Sequence, residues 1–262
     1  MKVLRLGNSN EFSTGVPEED RMAAVAERIL AEGSGLEVET VRKKIWPTEQ
    51  LPGLVDDWMD EHQPDIVYLK VNVFWWAHES VPLRIERKLP VVGKYIARAG
   101  WKAQGTPVVA TSTPGRSLRQ LVERRIGGDT SFTSGQVLAC METVIRRILV
   151  HEHVGLLVSG PRGQRPRPEL TAAQLERRNR RTSEVHRPLK ALCDDLHVAY
   201  IGRDGPRPAD ELERPPRGPD GFHAGVEGNH RQGKKQGEAL LALWREMQGQ
   251  ETLPREAAVR ER

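Results

Sequence analysis

Only two cysteines, Cys140 and Cys193, occur in 262 residues. Each lies in an apparent helix beside apolar neighbours, and there is no CxxC pair. That argues against a disulfide framework, a redox pair or a structural zinc site, and for two buried thiols acting as small hydrophobes. Aromatic residues are also scarce, at 5%. No apolar run reaches the ~18 residues that a membrane-crossing helix needs, so no transmembrane segment is expected. The N-terminus enters the strand-like run Val3–Leu6 at once, leaving no room for a secretory leader, and a cytoplasmic location is the expectation. No internal repeat is visible. The net charge is only +4. A nucleic-acid partner is not demanded by that balance, although basic residues gather between 162 and 187.

What the chain does have is alternation of strand-like and helix-like segments. Val3–Leu6 reads as a buried strand broken by Gly7. Glu18–Glu32 carries Met22, Val25, Ile29 and Leu30 at helical spacing. Leu36–Val41 alternates like an edge strand, Leu51–His62 is a second amphipathic helix, and Ile66–Leu69 is a candidate central strand. Further on, the pattern predicts a helix around Leu83–Arg98, a strand at Thr106–Ala110 and a short basic helix at Ser117–Ile126. It then predicts a helix at Ser134–Val150 and a strand at Val154–Val158. Residues 162–183, rich in Arg, Pro and Gln, read as an excursion. A helix at Glu184–Leu196, a strand at Val198–Ile201, a loop over 202–219 and a closing helix at His230–Met247 complete the chain. Residues 248–262 form a charged tail expected to be disordered. Strand, helix, strand order implies a parallel sheet covered by helices. The fold class is therefore α/β: one three-layer α/β/α sandwich of flavodoxin-like type spanning 1–247, with 77–133 as a cleft-forming insertion.

Two short pieces at opposite ends carry the chemistry. Gly7-Asn8-Ser9-Asn10 follows the first strand, and Asp220-Gly221-Phe222-His223 lies in a Gly/Pro-rich loop before the last helix. A serine hydroxyl is a poor nucleophile until a base takes its proton, and the base must be oriented by a third group. Ligands of open parallel sheets bind beyond the carboxyl ends of the strands, where Ser9, Asn72, Ser159 and the 220–223 loop could all converge.

These residues resemble the SGNH hydrolases, also called GDSL esterases and lipases. The first block, Gly-Asp-Ser after strand one, is matched by Gly7-Asn8-Ser9. The last, Asp-x-x-His with a Gly five residues on and a final helix, is matched by Asp220, His223 and Gly228. The third, an Asn after a strand opening Pro-Asp-hydrophobic, is matched by Pro64-Asp65-Ile66-Val67 leading to Asn72. The resemblance spans residues 1 to about 245. It implies Ser9 as nucleophile, His223 as base and Asp220 as its orienting acid. The side-chain amide of Asn72 and the backbone N–H of Ser9 would form the oxyanion hole. It implies ester hydrolysis of a small-molecule substrate with no metal and no organic cofactor.

The chain departs from the family pattern at several points. Asn8 replaces the acidic residue beside the nucleophile, and Asn10 replaces a Leu. Lys70 stands where a Gly precedes the Asn of the third block, and Val73 replaces an Asp after it. The second-block Gly has no clear match; Gly53 is the candidate. Two rival readings follow: the same fold kept as a catalytically degenerate binding protein, or a basic protein associated with nucleic acid. Trp75 and Trp76, directly after Asn72 and Phe74, are candidates for a substrate-facing wall, with packing against the sheet as the alternative. His230 falls in the final helix and reads as structural. His151 and His153 lack a third ligand at a recognisable spacing. Oligomeric state is not written in the sequence.

Overall fold

A computed structural model of the chain describes residues 1–12, 15–78, 80–89, 129–163, 171–205 and 223–249. Among these residues, β1 (Lys2–Gly7), β2 (Glu39–Lys44), β3 (Ile66–Lys70), β4 (Gly155–Arg162) and β5 (Ala199–Arg203) form one sheet in the order β2-β1-β3-β4-β5. Every neighbouring pair is parallel. Helices α1 (Met22–Ser34), α2 (Leu51–His62), α3 (Val81–Lys88), α4 (Ser134–Leu149), α5 (Ala172–Asp195) and α6 (Val226–Met247) accompany it. This is the doubly wound three-layer sandwich expected from the alternation, and the strand order reverses between β1 and β3.

The pleat sorts side chains onto the two faces. Leu4 and Leu6 of β1, Val67 and Leu69 of β3, and Leu156 and Val158 of β4 face one way. They are buried with Val55 and Met59 of α2, Met141 and Ile145 of α4, and Val185 and Leu189 of α5. Val3, Ile66, Tyr68 and Leu157 face the other way, against Ala26 and Leu30 of α1 and Leu240 of α6. On that side α1 and α6 lie unusually close. A Cβ at Gly233 would meet Val25 Cβ at 2.6 Å and the Met22 carbonyl oxygen at 2.8 Å, so only glycine permits the approach.

Helix limits follow from capping. At Gly35, φ is +71°, a left-handed end to α1 that glycine adopts without a steric cost. Thr133 and Gln136 form a reciprocal capping box at the start of α4, as do Thr171 and Gln174 at the start of α5. That second box corrects the reading of 162–183 as an excursion, because α5 begins at Ala172 and runs to Asp195. Its first half has few apolar residues but is rich in helix-favouring Ala, Glu and Arg. The edge strand also sits later than expected, at Glu39–Lys44, because its six residues pair one for one with Lys2–Gly7. The closing helix starts at Val226, four residues earlier than its apolar periodicity suggested. The strand expected at Thr106–Ala110, the helix at Ser117–Ile126 and the 250–262 part of the tail lie outside the described residues. No helix among the described residues is long and apolar enough to cross a membrane.

Candidate active site

β1 and β3 leave the sheet side by side. Leu6 pairs with Leu69, so Ser9 and Asn72 each lie three residues past the same rung. They follow the two strands that flank the switch point, where open α/β sheets place ligands.

Ser9 opens a 3-10 turn, Ser9–Phe12, and is exposed. The turn is closed by the Glu11 N–H donating to the Asn8 carbonyl (3.0 Å). Gly7 is required here, because the Glu11 side chain folds back over the end of β1 and a Cβ at Gly7 would meet its Cγ at 2.5 Å. His223 lies just before α6, and its Nε2 is 3.2 Å from Ser9 Oγ. That contact joins residues 214 positions apart and is short enough for proton transfer. The tautomer in which Nε2 accepts the serine proton carries its hydrogen on Nδ1, leaving Nδ1–H to donate to an acid. Asp220 lies outside the described residues.

Asn72 is extended (φ −98°, ψ 120°), and its Oδ1 accepts from the Phe74 N–H at 3.1 Å, capping the 3-10 turn Val73–Trp75. The cap engages the oxygen, so the remaining polar group is the Nδ2 amide, the donor half of the side chain. Gly53 is exposed in the first turn of α2, where a Cβ would meet nothing within 4 Å.

Trp75 and Trp76, candidates for a substrate-facing wall, are instead buried. Each is 1% exposed within the larger apolar core, and the Trp76 indole N–H donates to the Arg181 carbonyl of α5 at 2.8 Å. Both rings follow the short turn after Asn72 and are buried in that core, with Trp76 bonded to α5; the exposed aromatic of the trio is Phe74.

Several polar residues that surround the site went unnoticed in the sequence. Glu11 is fully buried and pairs with Arg5 (2.8 Å) and Lys70 (3.2 Å). Burial raises its carboxyl pKa, but the charges and hydrogen bonds of Arg5 and Lys70 outweigh that and hold it below the ordinary value. Arg5 lies 4.3 Å over the Tyr68 ring and donates to Gln236 of α6. Asn229, also fully buried, donates to the carbonyls of Ala224 (2.8 Å) and Gly225 (3.0 Å) and accepts from the Met22 N–H (3.1 Å). It thereby fixes the segment next to His223 against the start of α1. His230 Nε2 lies 2.7 Å from Asp20 Oδ1, a second brace between those elements. A usable signal existed for Asn229, since Asn is a poor choice inside a helix unless its side chain is engaged.

Neither cysteine is a candidate nucleophile. Burial pushes the Cys140 thiol up to about 11 and the Cys193 thiol up to about 12. Among the described residues, no group of three His, Cys, Asp or Glu side chains is placed to hold a metal ion.

No protein-family model matches the sequence, and no curated protein matches it. Solved structures do. The acetyl xylan esterase AlAXEase aligns over 92% of this chain and 100% of its own, at 14% identity and a TM-score of 0.50. A lipolytic protein of the G-D-S-L family from Veillonella parvula aligns over 90% and 95%, at 11% identity and a TM-score of 0.48. The psychrotrophic esterase EstA from Pseudoalteromonas sp., solved inhibited by monoethylphosphonate, aligns over 95% and 98%, at 7% identity and a TM-score of 0.48. At these identities the likeness is one of fold alone.

Proposed function

We propose that the protein is a serine hydrolase that cleaves a carboxylic ester, acyl or acetyl, through an acyl-enzyme on Ser9. The observation that carries this reading is the 3.2 Å contact between Ser9 Oγ and His223 Nε2 at the carboxyl edge of a parallel sheet. His223 takes the serine proton as Oγ attacks the ester carbonyl, and the tetrahedral oxyanion is met by the Ser9 backbone N–H and the Asn72 Nδ2 amide. The C–O bond to the alcohol then breaks, and His223 returns the proton to the leaving oxygen. Water, deprotonated by His223, attacks the acyl-enzyme, and the acid and free Ser9 are released. Asp220 holds the imidazole tautomer and stabilises the imidazolium. The 77–133 segment, most of which lies outside the described residues, would set substrate selectivity. None of these steps calls on a cofactor.

Hydrolysis of short-chain p-nitrophenyl esters tests the reading. The wild-type chain turns them over, Ser9→Ala and His223→Ala fall to near background, and a fluorophosphonate labels Ser9 only in chains that retain both residues. Full turnover by Ser9→Ala would overturn the mechanism. A wild-type chain that neither hydrolyses nor is labelled would instead favour a binding module on the same fold.

A further inference from the structure

One buried carboxylate ties the Ser9 turn directly to β1 and β3 and, through Arg5, to the final helix. Glu11 lies two residues after Ser9 in the same 3-10 turn and is 0% exposed. One of its oxygens accepts from Arg5, at 2.9 Å from Nε and 2.8 Å from Nη2, and the other from Lys70 Nζ at 3.2 Å. Lys70 is the last residue of β3, two before Asn72. Arg5, held over Tyr68, passes the connection to Gln236 of α6, the helix that His223 precedes. On the outer side, Arg42 of β2 donates to the Glu11 carbonyl oxygen at 3.5 Å and to Glu18 at 2.9 Å. The Gly-to-Lys departure in the third block and the acid after Ser9 are thus two halves of one ionic device.

Resting on the serine-hydrolase reading, we propose that Glu11 is a positioning residue. Through Arg5 and Lys70, its buried carboxylate sets the Ser9 turn against the Asn72 exit of β3 and against the helix that His223 precedes. Burying an ion pair brings little net stability, because desolvation offsets the attraction, so such a cluster fits a role in placement better than one in holding the fold. Placement matters at this site because misplacing a reacting group by ~1 Å costs on the order of 10²-fold in rate.

The test is Glu11→Gln, nearly the same shape without the charge, compared with Glu11→Asp, Ser9→Ala and the wild type. Active sites are counted by titration with a fluorophosphonate, and p-nitrophenyl acetate is the substrate. The expected result is a kcat per titrated site lowered by about 10- to 100-fold for Glu11→Gln. KM changes by less than about threefold, phosphonylation slows in parallel, and Glu11→Asp recovers most of the rate. A Glu11→Gln chain that melts earlier, yet turns over at the wild-type rate per titrated site, would overturn the proposal and leave Glu11 a structural residue. Should Glu11→Gln not fold, Lys70→Met decides. It cuts the tie to β3 while keeping the Arg5–Glu11 pair, and an unchanged kcat would overturn the proposal while about a 10-fold loss would support it. Ser9→Ala separates the two levels of the argument. If it stays active, the mechanism itself falls; if it is dead while Glu11→Gln is normal, only the role of Glu11 falls.

Discussion

The two faces of the sheet are built from different materials. Toward α2, α4 and α5 the interior is apolar, with Trp75, Trp76, Met141 and Ile145 closing on Leu4, Leu69 and Val158. Two polar groups buried on that side are engaged at the rim or within their own helix. Thr182 Oγ1 donates to the Arg178 carbonyl at 2.8 Å, and His186 Nδ1 lies 3.2 Å from the Pro161 carbonyl oxygen. Toward α1 and α6 the apolar cluster is smaller, and Arg5, Glu11, Asn229 and Gln236 are buried beside it. Hydrophobic burial is non-directional, so the first face can supply stability without specifying fine geometry. Hydrogen bonds and ion pairs have preferred distances and angles, so the second face can set where a turn points. Ser9 and His223 both belong to elements anchored on the second face.

The sharpest way to break this contrast is on the apolar side. Trp75→Ala should cost about 3–5 kcal/mol by chemical denaturation, as deletion of a fully buried aromatic does, while the folded fraction keeps its turnover per titrated site. A small stability loss with a changed preference across an ester series would return Trp75 to the substrate wall. Next in size is Asn72→Ala, which should lower kcat by about 10²-fold, or roughly 2.7 kcal/mol of barrier, the usual result of losing one oxyanion donor. Its melting temperature should barely move, since the 3-10 turn it caps is short. An unchanged rate would show that another donor serves the oxyanion. Smaller again is Gly233→Ala at the α1–α6 contact. Alanine gains about 1 kcal/mol of helix propensity, but its methyl meets Val25 and a backbone oxygen, and overpacking costs about 1–3 kcal/mol. A net stabilisation would mean that the two helices can separate without loss, and that the polar face is looser than its contacts imply.

Much of the apolar architecture was legible in the sequence. The amphipathic period of Leu51–His62 matches α2 residue for residue, and Ile66–Leu69 and Ser134–Val150 match β3 and α4 to within one residue. Periodicity reports burial against a sheet, so it fails where a helix runs past the sheet. The first half of α5 has almost no apolar stripe and was legible only through its Thr171–Gln174 capping box. The paired motif blocks singled out Ser9 and His223, whose side chains lie 3.2 Å apart, because each block marks a strand exit or a helix approach. The ionic cluster was not legible. Arg5 stands in an apolar strand, Glu11 in a polar turn and Lys70 at a strand end, and each reads alone as an ordinary surface charge. Nothing local shows that three elements bring them to one buried point. The burial of Trp75 and Trp76 was hard to read for a related reason, since the partner of the Trp76 indole, the Arg181 carbonyl, is 105 positions away.

The smallest expected effect contrasts the buried cluster with a rim pair on the apolar side. Asp204, just beyond β5, accepts from Ser183 Oγ (2.5 Å), from Arg187 Nε (2.6 Å) and from the Gly205 N–H (2.9 Å). The Ser183 hydrogen bond leads in lowering its pKa from 3.8 to about 2; burial, second in size, works the other way, and the Arg187 and Gly205 contacts lower it further. A carboxyl whose folded value is depressed stabilises the fold above its unfolded pKa and loses that contribution as pH falls through the folded value. The contribution of Asp204 is therefore complete above about pH 4 to 5 and gone below about pH 2. Its side chain is 33% exposed, so solvent and salt screen the pair and keep its worth under about 1 kcal/mol. Melting curves of wild type and Asp204→Asn across that range should differ at pH 5, converge near pH 2, and differ less in high salt. Glu11 titrates in both chains, so the difference isolates Asp204. Curves that stay apart at pH 2 would show that Asp204 acts through packing or the Ser183 contact rather than through its charge.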